Sequence, residues 1–170
     1  SDARTTCDRH VFFKYMVKTL AEQRGYTATF MPKPFSNITG SGGHVHNSLW
    51  QGSVNSFAKD ADEGGLSAVG YAFLGGVLNH AKGLTALFAP TVNSYRRLGA
   101  STTTSGSTWS PRYISYGGNN RSHMLRIPEA GRFECRLIDS SANLYLALAG
   151  LLAAGLDGIK KQTAPGERID

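Results

Sequence analysis

Between Leu98 and Asn120 this chain has no aspartate or glutamate, although Ser, Thr and Gly are abundant there. A stretch without one carboxylate cannot take a proton through an acid. Cysteine is almost as scarce. Cys7 and Cys135 are the only two and lie far apart, which is no disulfide framework and fits a reducing compartment, without excluding one bridge. Runs of basic charge are missing as well: nothing exceeds Arg96-Arg97 or Lys160-Lys161, and no RNA-binding or zinc-finger signature occurs. The net charge of +6, from 18 basic and 12 acidic residues, is therefore read as basic side chains gathered at an anionic small-molecule site, not as a nucleic-acid surface. The longest apolar run, Leu144 to Leu156, is well short of the roughly 20 residues a spanning helix needs, so no membrane partner is expected. No signal-peptide pattern opens the chain, and a cytoplasmic protein is expected. The sequence starts at Ser1 without Met and stops just after Pro165-Gly166, and reads as a piece of a longer protein.

Glycine, by contrast, is plentiful at 20 residues, and the most informative stretch is Gly40-Ser41-Gly42-Gly43-His44-Val45-His46-Asn47-Ser48. Side chains alternate along a strand, so His44 and His46 share a face beside a flexible turn. Imidazoles ligate divalent metals, and glycine lets backbone amides approach an anion closely. The stretch reads either as a metal and anion site or as two structural histidines.

Along the rest of the chain, Thr5 and Asp8 stand in capping-box spacing and open a helix whose face carries Phe12, Met16 and Leu20, ending at Gly25 in the place of a left-handed cap. That helix is expected to be a packing element. Tyr26 to Met31 is rich in β-formers and predicts a strand, and Gly43 to Trp50 a second. Gln51 to Gly65 is polar and reads as a surface loop. Leu66 to Ala81 has helical periodicity, and Lys82 to Phe88 predicts a short helix stopped by Pro90. His80, between them, reads as structural or as a favourable charge at a helix C-terminus. Tyr113 to Tyr116 and Leu125 to Pro128 predict short strands. Arg132-Phe133-Glu134-Cys135-Arg136-Leu137 alternates strictly, with the apolar set facing the core. Its charged set is either a solvated face or the lining of a cavity, with a metal on Glu134 and an anion on Arg136. Ala142 to Ile159 is an almost wholly apolar helix, expected to lie buried against the sheet.

Taken together, Thr29-Phe30-Met31-Pro32-Lys33-Pro34, Gly40 to Leu49, Asn93-Ser94-Tyr95-Arg96-Arg97-Leu98, Asn120-Arg121-Ser122-His123-Met124-Leu125-Arg126-Ile127-Pro128, Phe133-Glu134-Cys135-Arg136 and Ser141 to Ala147, with Ala154 to Ile159, resemble the catalytic core of glutamine synthetases. The segments fall in family order, almost end to end. The resemblance implies an α+β catalytic domain of the glutamine synthetase/guanidino kinase type, a curved antiparallel sheet backed by helices, with residues 1–170 forming one part of that domain. It also implies an ATP-dependent ligase that joins the γ-carboxylate of L-glutamate to ammonia or a small amine through γ-glutamyl phosphate, with Mg²⁺ or Mn²⁺ and several arginines balancing the charge. By that resemblance His44 and Glu134 are metal ligands. His46 and Ser48 contact ATP, and Gly40, Arg97 and Arg136 hold glutamate. Arg121 and Arg126 act on the ATP phosphates and the phosphoryl group in flight. The family assembles as rings in which a neighbouring subunit completes each site, so a homo-oligomer is expected for the whole protein and no turnover from this segment alone.

Three departures from the family pattern stand out. Thr39 replaces the usual Asn before the glycine matching Gly40, and the turn Pro128 to Arg132 lacks the usual lysine near ATP. The acid that ammonia-using relatives carry on a flap would fall within Ala100 to Thr104, where there is none. Ser107 to Pro111 and Tyr113 to Gly117 are similar to the type III-like subgroup that includes γ-glutamylmethylamide synthetases, which implies a lean to methylamine. The competing expectations are a catalytically inactive regulatory or assembly relative and a guanidino kinase-like phosphotransferase.

Overall fold

The computed structural model describes residues 2–58, 65–99, 102–104 and 106–170. In chain order the elements are α1 (Ala3–Glu22), β1 (Val45–Asn47), β2 (Trp50–Gln51), β3 (Val54–Asn55), α2 (Ala68–Asn79), α3 (Ala81–Phe88), α4 (Val92–Gly99), β4 (Thr102–Thr103), β5 (Gly106–Ser107), β6 (Tyr116–Gly117), β7 (Leu125–Glu129), β8 (Arg132–Cys135) and α5 (Leu144–Lys161). The main sheet has the order β1-β8-β7-β6. β8 is antiparallel to both neighbours, whereas β6 runs parallel to β7, so the fold is α+β with a mixed sheet and not the purely antiparallel one expected. The parallel pair arises because Gly117 to Met124 return the chain to its starting side before β7 begins. Where β7 meets β8 the register slips between Arg126 and Glu129, a bulge that contains Pro128, a residue with no N–H to give the ladder.

The strict alternation in β8 holds: Phe133 and Cys135 are wholly buried and Leu137 nearly so. Phe133 meets Phe57 and Phe73 with ring centroids 6.0 and 5.8 Å apart, and this trio joins sheet to helices. Phe57 lies in the stretch read as a surface loop. That stretch instead turns through the β2–β3 hairpin at Gly52, whose φ of 60° suits glycine, and delivers Phe57 to the core. The remainder of that stretch, Lys59 to Gly64, lies outside the described residues.

α5 packs chiefly against α2, with α3 and α1 beside it, and not flat on the sheet as expected. The seam is built from glycines: a Cβ on Gly76 would lie 2.2 Å from the Ala154 carbonyl oxygen, and one on Gly158 2.2 Å from that of Ala72. Asn143 caps α5, its side chain accepting from the Tyr145 and Leu146 amides. Leu146, Leu152 and Leu156 stay more than a third exposed, so this helix is buried on one side only.

α1 starts earlier than Thr5, because Asp2 is the cap and accepts from the Thr5 amide at 2.9 Å. Gly25 follows the helix with a φ of 74°, as expected of a left-handed position. The packing expectation fails for most of the helix. Only Cys7 is buried, with Leu144 and Leu148 of α5, while Phe12 is 64% and Leu20 43% exposed. Tyr26 to Met31 is no strand, since no neighbouring strand offers it a ladder, and Asn93 to Arg97 belong to a helix that their sequence did not announce. Both cysteines are free.

Candidate functional site

Three strands put a row of ionisable side chains on one face of the sheet. His46 lies opposite Glu134, and Glu134 opposite Arg126. Glu134 is 3% exposed and is the hub. Its Oε2 accepts from Arg126 Nη1 at 2.8 Å, and its Oε1 accepts from Arg136 Nη1 at 2.7 Å. His44 Nδ1 approaches the same Oε1 to 3.1 Å, and His46 Nε2 comes to 3.9 Å. Of the two readings of the charged face of β8, the solvated one fails for Glu134 and Arg136, which are buried, and Arg136 lines a cleft. Arg132 stays half-exposed and pairs with Glu129 at 2.7 Å.

The field within this cluster fixes the charge states. Burial, reinforced by the Arg136 guanidinium, pushes the His44 imidazole down to about 4 against the pull of Glu134, so its ring is neutral at pH 7. Burial alone would raise the Glu134 carboxyl, but hydrogen bonds from Arg126 and Arg136 outweigh it and keep it below the usual range. A neutral imidazole and an ionised carboxylate side by side are the states in which both ligate a divalent cation. Among the described residues no third His, Cys, Asp or Glu joins them in a complete metal set.

A second cluster adjoins the first. Arg97, on α4, is 4% exposed and donates to the Leu137 carbonyl at 3.1 Å and to the Arg136 carbonyl at 2.9 Å. Asn93, one turn earlier, exchanges two hydrogen bonds with the Lys33 backbone, at 2.6 and 2.8 Å. That tie holds the Pro32-Lys33-Pro34 loop, and with it Gly40, against α4. There is no room for a side chain at Gly40, where a Cβ would lie 2.4 Å from the Pro32 carbonyl oxygen. Gly40, Gly42, His44, Arg97 and Arg136 thus surround one cleft of about 110 Å³, roofed by Thr108, Trp109 and Ser110. A larger cavity of about 540 Å³, lined by Tyr95 and Tyr113 among others, contains none of the expected site residues.

Not every expected residue converges. The Arg121 side chain is exposed, and only its carbonyl joins the cluster, accepting from Arg136 Nε at 2.9 Å. Ser48 turns towards the hairpin, its Oγ accepting from Trp50 Nε1 at 2.8 Å. His46 sits at the rim, with Arg132 Nη1 3.3 Å from its Nδ1. The position expected for a flap acid begins outside the described residues, at Ala100 and Ser101. Sequence reasoning missed Asn119, which binds Arg126 Nε at 3.1 Å, and Asp139, buried behind Gly42 at 2% exposure. It also missed the 108–110 roof. An asparagine two residues before an arginine-bearing turn and an isolated buried-type aspartate after β8 were the available signals.

All 170 residues match one known family, described as glutamine synthetase, catalytic domain. The chain belongs to the glutamine synthetase family. It is 53% identical over 171 residues to a glutamine synthetase of Rhizobium leguminosarum bv. phaseoli, covering 99% of this chain and 39% of that protein. It is 48% identical over 168 residues to a glutamate–methylamine ligase of Methyloversatilis universalis, covering 98% and 38%. A solved GmaS/ADP complex superposes on the whole chain with a TM-score of 0.93 at 59% identity, with 40% of that chain covered. Ligand-free GmaS gives 0.90 at 57%, with 38% covered. This member of the family thus spans about two fifths of the length of the relatives it matches.

Proposed function

We propose that the full-length protein is an ATP-dependent ligase that joins the γ-carboxylate of L-glutamate to ammonia or a small amine such as methylamine. This chain supplies the C-terminal part of its catalytic domain. The observation that carries the proposal is the cleft in which two buried guanidiniums, Arg97 and Arg136, meet His44, itself 3.1 Å from Glu134. A dicarboxylate fits two guanidiniums better than any neutral substrate does. Arg136 shares Glu134 with Arg126, so the carboxylate held by Arg136 lies at the phosphoryl end and is the one activated.

In this reading the γ-carboxylate oxygen attacks the terminal phosphorus of ATP and ADP departs. The amine nitrogen, having lost its ammonium proton, then attacks the acyl carbon. The C–N bond forms as the C–O bond to phosphate breaks. A divalent cation, Mg²⁺ or Mn²⁺, would supply Lewis-acid neutralisation of the phosphates, and His44 with Glu134 fits two of its positions. Arg126, oriented by Asn119, would steady the transferring group. We assign Arg121, His46 and Ser48 to the nucleotide side by resemblance, and the place of His46 at the rim, 3.9 Å from Glu134, supports this for that residue. Further ligands from outside this segment, and a ring of subunits, complete the site. The bulged β7–β8 pair supports a curved sheet in the whole domain, since a bulge bends its strand.

The test is phosphate release by the full-length protein with ATP, Mg²⁺ and glutamate, comparing ammonium, methylamine and ethylamine. Glutamate-dependent release that rises with at least one amine is expected. Its absence with all three overturns the proposal.

A further inference from the structure

The roof of the cleft is tied to both arginines below it. Ser110 Oγ donates to the Arg97 carbonyl at 2.9 Å, and the Trp109 carbonyl accepts from Arg136 Nη2 at 3.1 Å. Residue 109 is therefore one hydrogen bond away from the guanidinium that holds the reacting carboxylate. The other walls of the cleft are the 39–42 loop, His44, Arg97 and Arg136, and we place the incoming nucleophile on the roof side, beside Trp109. There the sequence offers nothing that can form an ion pair with a cation, because no Asp or Glu occurs from Leu98 to Asn120. It offers instead an indole: Trp109 is 54% exposed, and its ring stacks on no other ring and its N–H binds no acceptor among the described residues.

An indole face beside a cationic nucleophile has a definite preference. It attracts a cation through the ring quadrupole, and it also rewards apolar surface that the cation carries. Ammonium brings charge alone and is strongly hydrated. Methylammonium brings the same charge with a methyl group that gains by leaving water. We infer that Trp109 is a specificity-determining residue that selects an alkylammonium over ammonium at the roof of the cleft. The inference rests on the ligase reading above and deepens it, naming the small alkylamines as the substrate class that this roof favours.

The experiment uses the full-length protein and its W109A, W109F and W109L variants, with kcat/KM for methylamine and for ammonium as the readout. The ratio of the two is insensitive to a merely structural role, which lowers both. The expected result is a ratio about tenfold lower in W109A and W109L, while W109F, which keeps an aromatic face, stays near the parent. W109L retains bulk without a π-face, so it also serves if W109A folds poorly. A ratio that stays at the parental value in both W109A and W109L overturns the inference, as does a parent that uses ammonium but not methylamine. A parent that releases phosphate with no amine removes the ligase reading itself, so the two failures are distinct.

Discussion

Gly42→Ala should abolish most of the activity while leaving the fold nearly intact. A Cβ at this position would lie 2.7 Å from His44 Nε2 and 3.1 Å from Arg97 Nη2. To regain an ordinary contact of 3.4 Å the imidazole must retreat by about 0.7 Å. The obstacle is the far end of two flexible side chains, and Gly42 has no left-handed φ to forfeit. Stability should therefore move by less than about 1 kcal/mol, since alanine also restricts the unfolded chain. The site tolerates such a shift far less well. A metal ligand is useful within about 0.2 Å of its proper distance, and a displacement near 1 Å can cost on the order of 100-fold in rate. We expect the Mg²⁺ concentration for half-maximal rate to rise and kcat/KM for glutamate to fall about 100-fold, with an unchanged thermal midpoint, in the full-length protein. Gly40→Ala is the contrast, because its Cβ would meet a backbone oxygen at 2.4 Å and nothing flexible can yield. That variant should lose stability first. Normal Mg²⁺ dependence in Gly42→Ala, or a loss of activity that tracks unfolding, would refute the reasoning.

Other consequences can be checked separately. Gly76→Ala should force α2 and α5 apart, because its Cβ would strike the Ala154 carbonyl at 2.2 Å; a cost of at least about 1–3 kcal/mol should appear in denaturant titration. The Asp157 carboxyl is held below its ordinary 3.8 by hydrogen bonds from His80 and Lys161. A depressed carboxyl contributes stability above the unfolded value and loses it as pH falls through the folded one. Asp157→Asn should accordingly flatten the loss of stability below pH 4, seen by acid titration of the thermal midpoint. Cys7 and Cys135 should both resist alkylation in the native protein and react once it is unfolded, as mass mapping of the labelled peptides would show. Burial pushes the Cys135 thiol up to about 12, and at pH 8 it is protonated as well as inaccessible.

What the sequence made legible was the chemistry more than the packing. His44, Glu134 and Arg136 were singled out by type and spacing and Arg97 by the resemblance; the fold gathers His44, Arg97 and Arg136 around one cleft, with Glu134 bonded to Arg136 beside it. The alternation in β8 was readable because period two survives wherever one face is buried. The purely antiparallel sheet was not, because strand direction depends on the path of residues 117 to 124, which carries no periodic signal. α5 looked like a helix buried on the sheet because it is apolar all round, yet one side packs on glycines of α2 and another stays open. α1 misled in the opposite way: a good apolar stripe does not say that its partner lies within the same 170 residues. Asp2 was missed as a cap because Thr5 and Asp8 imitate the same spacing three residues later.

The slip in register beside Pro128 separates two concerns of the β7–β8 hairpin. On the sheet side of the bulge, Arg126 is held opposite Glu134 by pairings with strands on both flanks. On the turn side, Glu129 meets Arg132 alone, around Gly131 at a φ of 78°. A change of length at Ala130 and Gly131 would strike the tip's own ties, from the Gly131 amide to the Gly65 carbonyl and from Asn55 to the Gly131 carbonyl, before it reached Arg126. The bulge thus lets the hairpin tip serve as an anchor for Asn55 and Gly65 while the chemistry beneath it keeps its own register.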